Sequence, residues 1–188
     1  MKRLLIVGAG GHGRSVAEAV LAAGKYELVG FVDDAAPALQ QVWHLPVFGD
    51  TADLARYREH ADAAIVAMGN NRLREALQHA LYAAGFALAT VVHPQAMVSP
   101  RAVIGEGGAI MAGAIVGTGA QLGAGVIVNC GAVVPHDCRV DDFGRRGLTA
   151  AMSGRSVLGG GAWLPAGAVL GYGDLHEGGQ GLWSGAAA

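Results

Sequence analysis

The chain has 188 residues, of which 52% are hydrophobic and 15% are charged, and its formal net charge is −2. Such a composition excludes a disordered chain and gives no basic stripe for binding nucleic acid. The apolar run after Lys2 and Arg3 ends at Gly8, which is too short for a signal peptide or a membrane span. Cys130 and Cys138 have neither disulfide nor metal-ligand spacing, so we expect a cytoplasmic protein without a metal site.

The opening segment alternates strand and helix around a glycine-rich turn. An apolar strand over 2–7 enters the turn Gly8–Gly13, a helix is predicted over 14–23, and a second strand follows over 26–32. The order strand, glycine turn, helix, strand is that of a Rossmann-type βαβ unit.

The segment between residues 45 and 94 completes this first domain. Its predicted elements, in chain order, are a short edge strand over 45–48, a helix capped near Thr51 and Asp53 that runs to His60, a strand over 63–68, a helix over 72–84 and a strand over 86–92. His93 and Pro94 then begin a link, so the first domain is expected to cover residues 1–94.

The glycine turn is typical of a phosphate-binding site. Glycines let the backbone approach a diphosphate, and the N–H groups at the start of the next helix can bind it. Asp33 lies twenty residues beyond Gly13, where a dinucleotide-binding domain places the acid that binds ribose, so NAD is one possible ligand. A full dinucleotide fold needs six strands, however, and this domain has room for four or five. A mononucleotide diphosphate is therefore the favoured ligand, and a turn that only packs helix against strand is the other alternative.

The second half of the chain repeats every six residues. From Val98, fifteen consecutive blocks of six follow without an insertion, and thirteen of them begin with Leu, Ile, Val or Met. This period is that of a parallel β-helix, in which each block supplies one short strand and one corner. We expect this coil to occupy residues 95–188. Arg146 and His176 interrupt the aliphatic positions, and because burial of an unpaired guanidinium is costly, the chain is expected to bulge outward at Arg146.

A short α/β Rossmann-like domain followed by hexapeptide repeats resembles the bacterial family of sialic acid O-acetyltransferases and nucleotide-aminosugar N-acetyltransferases, which serve surface-polysaccharide and glycoprotein-glycan synthesis. The resemblance covers the whole chain, and its local carriers are Gly8–Gly13, Asp33-Asp34, Gly69-Asn70-Asn71-Arg72, His93-Pro94 and Val134–Cys138. It implies a left-handed β-helix, a homotrimer, acetyl-CoA as the acetyl donor and a UDP-linked amino sugar as the acceptor.

His136 is the candidate general base. It occupies the third position of its block, near a corner, where the ring can face outward, and Asp137 directly after it can hold the imidazole in one tautomer. Three blocks make one turn of the coil, so Gly154 lies one turn further along the same edge. The family has a glycine at this place that binds the oxyanion. Cys138 takes an inward position where a thiol is inert, so direct transfer is expected.

The resemblance also implies two sets of binding residues. Those for the nucleotide sugar are Gly10, Gly11, His12, Gly13, Asp33, Asp34, Asn70 and Asn71, and those for acetyl-CoA are Asn129, Arg145, Gly154 and Ala166. Related sequences carry a second histidine where Arg145 stands, and an arginine can hydrogen-bond a carbonyl or a phosphate but cannot act as a base. Three other functions stay open: an O-acetyltransferase acting on a sialic acid or similar hydroxyl, a catalytically weak trimer that binds nucleotide sugars, and a Rossmann oxidoreductase fused to a structural coil.

Overall fold

The computed structural model describes residues 1–36 and 38–179, which fall into two compact units. Met1–Pro94 and Glu106–Ala109 make up the first unit, and Gln95–Gly105 together with the chain from Ile110 onward make up the second. The last predicted repeat block, 182–187, lies outside the described residues.

The first unit is built on a parallel sheet. Its elements in chain order are β1 (Lys2–Val7), α1 (Gly11–Ala23), β2 (Tyr26–Val32), β3 (Gln41–Val42), β4 (Leu45–Pro46), a 3-10 helix (Leu54–Glu59), β5 (Ala63–Val66), α2 (Asn71–Ala83), β6 (Ala87–Leu88) and β7 (Val91–Val92). Strands β2, β1, β5 and β6 form the sheet in that order, with every pairing parallel. Leu5 and Val7 of β1 share a buried apolar core with Leu77 and Leu81 of α2, so the central strands and this helix hold the unit together.

The segment after Thr51 differs from the sequence prediction. It forms a short 3-10 helix whose N-cap, Asp53, makes no side-chain capping bond. Thr51 is engaged elsewhere, because its N–H and its hydroxyl both donate to Asp34 Oδ1 at 2.8 Å. The predicted capped helix is therefore wrong in type and in its cap.

The predicted strand over 86–92 is divided into two short strands. Ala89 still donates its N–H to Ala64 of β5, at 2.9 Å. Two residues later, Val91 donates to Gly108 instead, also at 2.9 Å. The chain thus changes its hydrogen-bonding partner in the middle of one apolar run, which the run itself does not reveal.

The second unit consists of short strands separated by corners. Between residues 97 and 176 the chain forms fourteen strands of two residues each: β8 (Met97–Val98), β9 (Val103–Ile104), β10 (Ala109–Ile110), β11 (Ile115–Val116), β12 (Gln121–Leu122), β13 (Ile127–Val128), β14 (Val133–Val134), β15 (Arg139–Val140), β16 (Arg145–Arg146), β17 (Ala151–Met152), β18 (Val157–Leu158), β19 (Trp163–Leu164), β20 (Val169–Leu170) and β21 (Leu175–His176).

These strands stack into three parallel sheets. Strands β8, β11, β14, β17 and β20 form one sheet, β9, β12, β15, β18 and β21 a second, and β10, β13, β16 and β19 a third. Paired residues are eighteen positions apart, as Ile115 and Val133 are. This is a parallel β-helix with three strands in each turn, consistent with a left-handed hexapeptide coil, and the predicted fold class is confirmed.

The second residue of each strand faces the interior of the coil. The inward side chains of five successive strands expose at most 3% of their surface: Val116, Leu122, Val128, Val134 and Val140. Burial of one such side chain contributes about 1.5–3 kcal/mol relative to its exposure. The aliphatic positions of the six-residue repeat therefore form the core of the coil.

Arg146 is fully buried at an inward position, and the predicted bulge is wrong. Its strand keeps register on both sides, with Arg146 opposite Val128 and Leu164. One guanidinium nitrogen, Nη2, donates to the Ala150 carbonyl at 2.8 Å, while Nε and Nη1 make no hydrogen bond with the described chain. Burial lowers the pKa of Arg146 to about 10. A bulge would shift every later inward position by one residue, so the coil keeps its register and buries the cation.

His176 lies at the second predicted interruption of the repeat. It pairs in register with Leu158 and remains partly exposed. The strand therefore continues the stack through this residue.

Candidate active site

The glycine turn of the first unit leaves open surface at the start of α1. Gly8 begins the turn with φ 111°, and Gly10 is the N-cap of the helix. A Cβ on Gly13 would lie 1.9 Å from the Gly8 carbonyl oxygen, so only glycine fits there. Nothing lies within 4 Å of a Cβ built on Gly10 or Gly11. Gly13 thus serves the packing of helix on strand, whereas Gly10 and Gly11 leave backbone that a ligand can approach.

Asp33 braces this turn. Its Oδ2 accepts the N–H of Ala9 at 2.7 Å, and its Oδ1 accepts the N–H of Ala35 at 2.9 Å. The exposed Asp34 accepts two hydrogen bonds from Thr51, and these lower the pKa of the Asp34 carboxyl. Both acids are therefore held in fixed orientations beside the turn, and their contact with a ribose or a base stays a prediction.

The other predicted acceptor residues lie at the starts of the two helices. His12 is the second residue of α1, and Asn71 is the first residue of α2. Asn70 is the N-cap of α2, where its Oδ1 accepts the N–H of Leu73 at 3.0 Å. Val7 and Val66, which end β1 and β5, are paired neighbours. Both helices begin just beyond those strand ends. The residues predicted to bind the nucleotide sugar therefore lie at the carboxyl edge of one sheet, where α/β proteins bind ligands.

His136 and Asp137 form a hydrogen-bonded pair at a corner of the coil. His136 Nδ1 lies 3.0 Å from Asp137 Oδ2, and the two side chains are 52% and 56% exposed. Asp137 has φ 58°, and the matching corners one turn before and one turn after carry Gly119 and Arg155, at φ 68° and 61°. Aspartate tolerates this left-handed conformation better than most side chains, and here its carboxylate reaches the ring of the preceding residue.

Gly154 lies directly against the other side of the His136 ring. A Cβ on Gly154 would stand 2.7 Å from both Cε1 and Nε2 of that ring. The backbones of the two turns are joined, because the Arg155 N–H donates to the His136 carbonyl at 3.3 Å. The N–H of Gly154 itself makes no hydrogen bond among residues 1–36 and 38–179. Within the described chain it is therefore free to donate to a ligand bound at this corner.

This corner has the groups that acyl transfer to an amine needs. The Asp137 carboxylate holds the Nδ1 side of His136, which leaves Nε2 to accept a proton. The free N–H of Gly154 can stabilise an oxyanion that forms next to that nitrogen. The structure thus brings together three residues that the sequence predicted as one site.

Three of the four predicted donor-binding residues, Asn129, Arg145 and Ala166, lie on other parts of the coil than the fourth, Gly154. Asn129 and Ala166 belong to corners that follow the sheet of β13 and β19, and Asn129 Oδ1 accepts the N–H of Cys130 at 2.9 Å. Arg145, on β16 of that sheet, lies 5.3 Å from the centre of the Trp163 ring, and burial lowers its pKa. One coil therefore does not place these residues beside His136.

Two edges of the coil can be defined from these corners. The His136 edge comprises residues 135–138, 153–156 and 171–174, and the Asn129 edge comprises residues 129–132, 147–150 and 165–168. The sheet of β14, β17 and β20 runs between them. Within a single chain, His136 and Gly154 lie on one side of that sheet, and Asn129 and Ala166 lie on the other.

Sequence reasoning missed Tyr172, which also lies over Gly154. Its Cε2 is 3.1 Å from the point that a Cβ on Gly154 would occupy. Tyr172 is eighteen residues beyond Gly154, so the same one-turn step that links His136 to Gly154 would have found it.

Residues 1–36 and 38–179 hold no group of three or more His, Cys, Asp or Glu side chains placed to bind a metal ion. No helix of that part of the chain has the length and the apolar surface needed to cross a bilayer.

The chain is similar to known proteins in sequence and in structure. Residues 3–81 match the model of the PglD N-terminal domain. Over 109 residues the chain is 35% identical to UDP-N-acetylbacillosamine N-acetyltransferase of Bacillus subtilis, a match that covers 57% of this chain and only half the length of that enzyme.

Solved structures match nearly the whole chain. A histidine-to-alanine variant of GDP-perosamine N-acetyltransferase from Caulobacter crescentus, bound to CoA and GDP-perosamine, is 35% identical with a TM-score of 0.89, over 95% of this chain and 84% of that one. The acetyltransferase domain of PglB from Neisseria gonorrhoeae, bound to acetyl-CoA, is 37% identical with a TM-score of 0.80, over 96% of this chain and 95% of that one. Agreement in fold and sequence across both units means that this chain belongs to the family of acetyl-CoA-dependent nucleotide-aminosugar N-acetyltransferases.

Proposed function

We propose that this chain transfers the acetyl group of acetyl-CoA to the amino group of a UDP-linked amino sugar. One relative is named for a UDP sugar and another is bound to GDP-perosamine, so the choice of UDP rests on the first of them. The observation that carries the chemistry is the corner at which His136, Asp137 and Gly154 meet, where the His136 ring lies against Gly154 and the Gly154 N–H makes no hydrogen bond in the described chain.

The reaction follows from the order of groups at this corner. The sugar amine attacks the thioester carbon while His136 Nε2 takes its proton, and the Asp137 carboxylate stabilises the imidazolium that forms. The thioester oxygen becomes an oxyanion that accepts the Gly154 N–H. Collapse breaks the carbon–sulfur bond, and the CoA thiolate leaves and takes up the proton from His136.

The cysteines support direct transfer without an acyl-enzyme. Cys138 is 1% exposed, and its Sγ donates to the Ser153 carbonyl at 3.1 Å in the interior of the coil. A thiol in that position cannot reach a thioester outside the coil. The two free cysteines also fit a reducing compartment, and we propose that the protein works in the cytoplasm.

A homotrimer is part of this proposal. The sheet between the two edges has an apolar outer surface, which we call the apolar face, formed by Met97, Ile115, Val133, Ala151 and Val169. Met97 and Val169 are each 68% exposed in the single chain. An apolar patch of this kind marks a surface for association, and a second copy packed on it can bring its Asn129 edge beside the His136 edge of the first.

The test is a mass-spectrometric screen of acceptors with acetyl-CoA. UDP- and GDP-linked amino sugars should gain one acetyl group on nitrogen, with release of an equal amount of CoA. The matched control for each is the nucleotide sugar with a hydroxyl in place of the amine, which should not react. Acetylation of the hydroxyl sugars alone would make the protein an O-acetyltransferase, and CoA binding without any transfer would leave a binding protein.

A further inference from the structure

Tyr172 occupies the same edge of the coil as His136 and Gly154, one turn beyond the glycine. Its turn is held in place, because the Gly173 N–H donates to the Gly154 carbonyl at 3.1 Å and the Gly171 N–H donates to Asp174 Oδ2 at 3.0 Å. The three residues are therefore stacked at about one strand spacing, roughly 4.8 Å, from one to the next. The middle one has no side chain, so the stack has a gap between two rings.

Both rings reach into this gap. The point that a Cβ on Gly154 would occupy is 2.7 Å from Nε2 of His136 and 3.1 Å from Cε2 of Tyr172. Tyr172 is 64% exposed, and its hydroxyl makes no hydrogen bond within the described part of the chain. A group bound against this face of the Gly154 backbone therefore has an imidazole on one side and a tyrosine ring on the other.

The proposed reaction determines what that group is, and the following step rests on the proposed function. The tetrahedral carbon carries an oxygen, a nitrogen, a sulfur and a methyl group. The oxygen is directed to the Gly154 N–H and the nitrogen to His136. The methyl group and the sulfur remain for the side on which Tyr172 lies, and both are apolar groups that suit a ring edge.

We propose that Tyr172 is a specificity-determining residue that limits the transferred acyl group to two carbons. A longer acyl chain would extend from the methyl position into the Tyr172 ring. One methylene that a pocket cannot accept typically changes kcat/KM by about 10–200-fold. The ring of Tyr172, and not its hydroxyl, excludes the longer acyl chain. Phenylalanine should therefore replace tyrosine without a change in the preference for acetyl-CoA over propionyl-CoA.

The experiment measures kcat/KM for acetyl-CoA and propionyl-CoA in the wild type and three variants. Tyr172→Ala should raise the propionyl-to-acetyl ratio about tenfold or more, because it opens the gap. Tyr172→Phe should keep the wild-type ratio. Leu175→Ala, which removes a side chain that is 63% exposed on the next strand, is the matched control and should also keep it. Thermal unfolding of each variant shows that the coil is intact.

Two results would overturn the inference, and they differ in what else they affect. If the wild type acetylates its acceptor and Tyr172→Ala leaves the ratio unchanged, even with a higher KM for both donors, then Tyr172 does not select the acyl group and the proposed function stands. If the wild type transfers no acetyl group from acetyl-CoA, both the inference and the proposed function are wrong.

Discussion

Gly11 and Gly13 lie two residues apart in one turn, but a side chain would meet different surroundings at each. A Cβ on Gly13 would collide with the Gly8 carbonyl oxygen, whereas one on Gly11 would enter open space. Gly11→Val should therefore fold, place its side chain where the diphosphate is proposed to bind, and raise the acceptor KM about tenfold or more. Its affinity for CoA, measured by calorimetry, should stay at the wild-type value.

The control for this prediction is Gly13→Ala, the smallest change at the crowded position. It should lower the melting temperature of the protein, because the backbone of Gly8 must move to admit even one methyl group. If Gly11→Val weakens both substrates equally and melts as early as Gly13→Ala, the turn is structural and not a phosphate site.

Some features of the candidate site can be predicted from the six-residue period of the coil, and others cannot. The step of eighteen residues from His136 to Gly154 could be predicted, since the repeat fixes which residues share an edge. The conformation of Asp137 could not, because a hexapeptide pattern contains no dihedral angles and the matching corners of the adjacent turns carry unlike residues, Gly119 and Arg155. The bracing role of Asp33 was missed for a similar reason: its partner Ala9 contributes a backbone N–H, which every residue type supplies.

At the scale of the element, β16 keeps its register with the neighbouring strands even though this buries the charged side chain of Arg146, which costs free energy. Arg146 lies between Val128 and Leu164 with two guanidinium nitrogens that lack partners in the described chain. Arg146→Leu should therefore raise the free energy of unfolding by about 1–3 kcal/mol at neutral pH, as measured by urea denaturation.

The stabilisation that Arg146→Leu gives should decrease as the pH rises. Burial lowers the pKa of Arg146 in the folded state to about 10, below that of the unfolded chain. The folded wild type therefore sheds its buried charge first as the pH rises, and its stability recovers above about pH 10. The advantage of Arg146→Leu should shrink over that range. A variant less stable than the wild type at neutral pH would show that the guanidinium has partners that offset its burial.

The secondary structure could be predicted where a sequence repeat was long. The prediction failed where a contact from another segment of the chain determined the local structure. The aliphatic repeat predicted the positions of strands across the whole coil, since each inward side chain is buried by its neighbours. The segment predicted as a helix after Thr51 is a 3-10 helix, and Thr51, the predicted cap, is oriented instead by the two hydrogen bonds it donates to Asp34, seventeen residues earlier. No pattern within a single segment contains such a contact.

At the scale of the whole molecule, the predicted trimer follows from the separation of the two edges. Light scattering at micromolar concentration should give the mass of three chains, and Val169→Asp on the apolar face should lower it, because a buried carboxylate would destabilise the contact. Leu175→Asp, on a different sheet and 63% exposed, is the matched control and should leave the mass unchanged. A monomeric wild type would contradict the shared site.

The general-base assignment of His136 is tested most directly by the pH dependence of kcat for His136→Ala. The variant should keep its affinity for CoA and its mass, and its kcat should be lower by about 10²–10⁴ near neutral pH. The deficit should shrink as the pH rises, because the sugar amine then loses its proton without help. A His136→Ala enzyme with the kcat of the wild type at every pH would contradict the account.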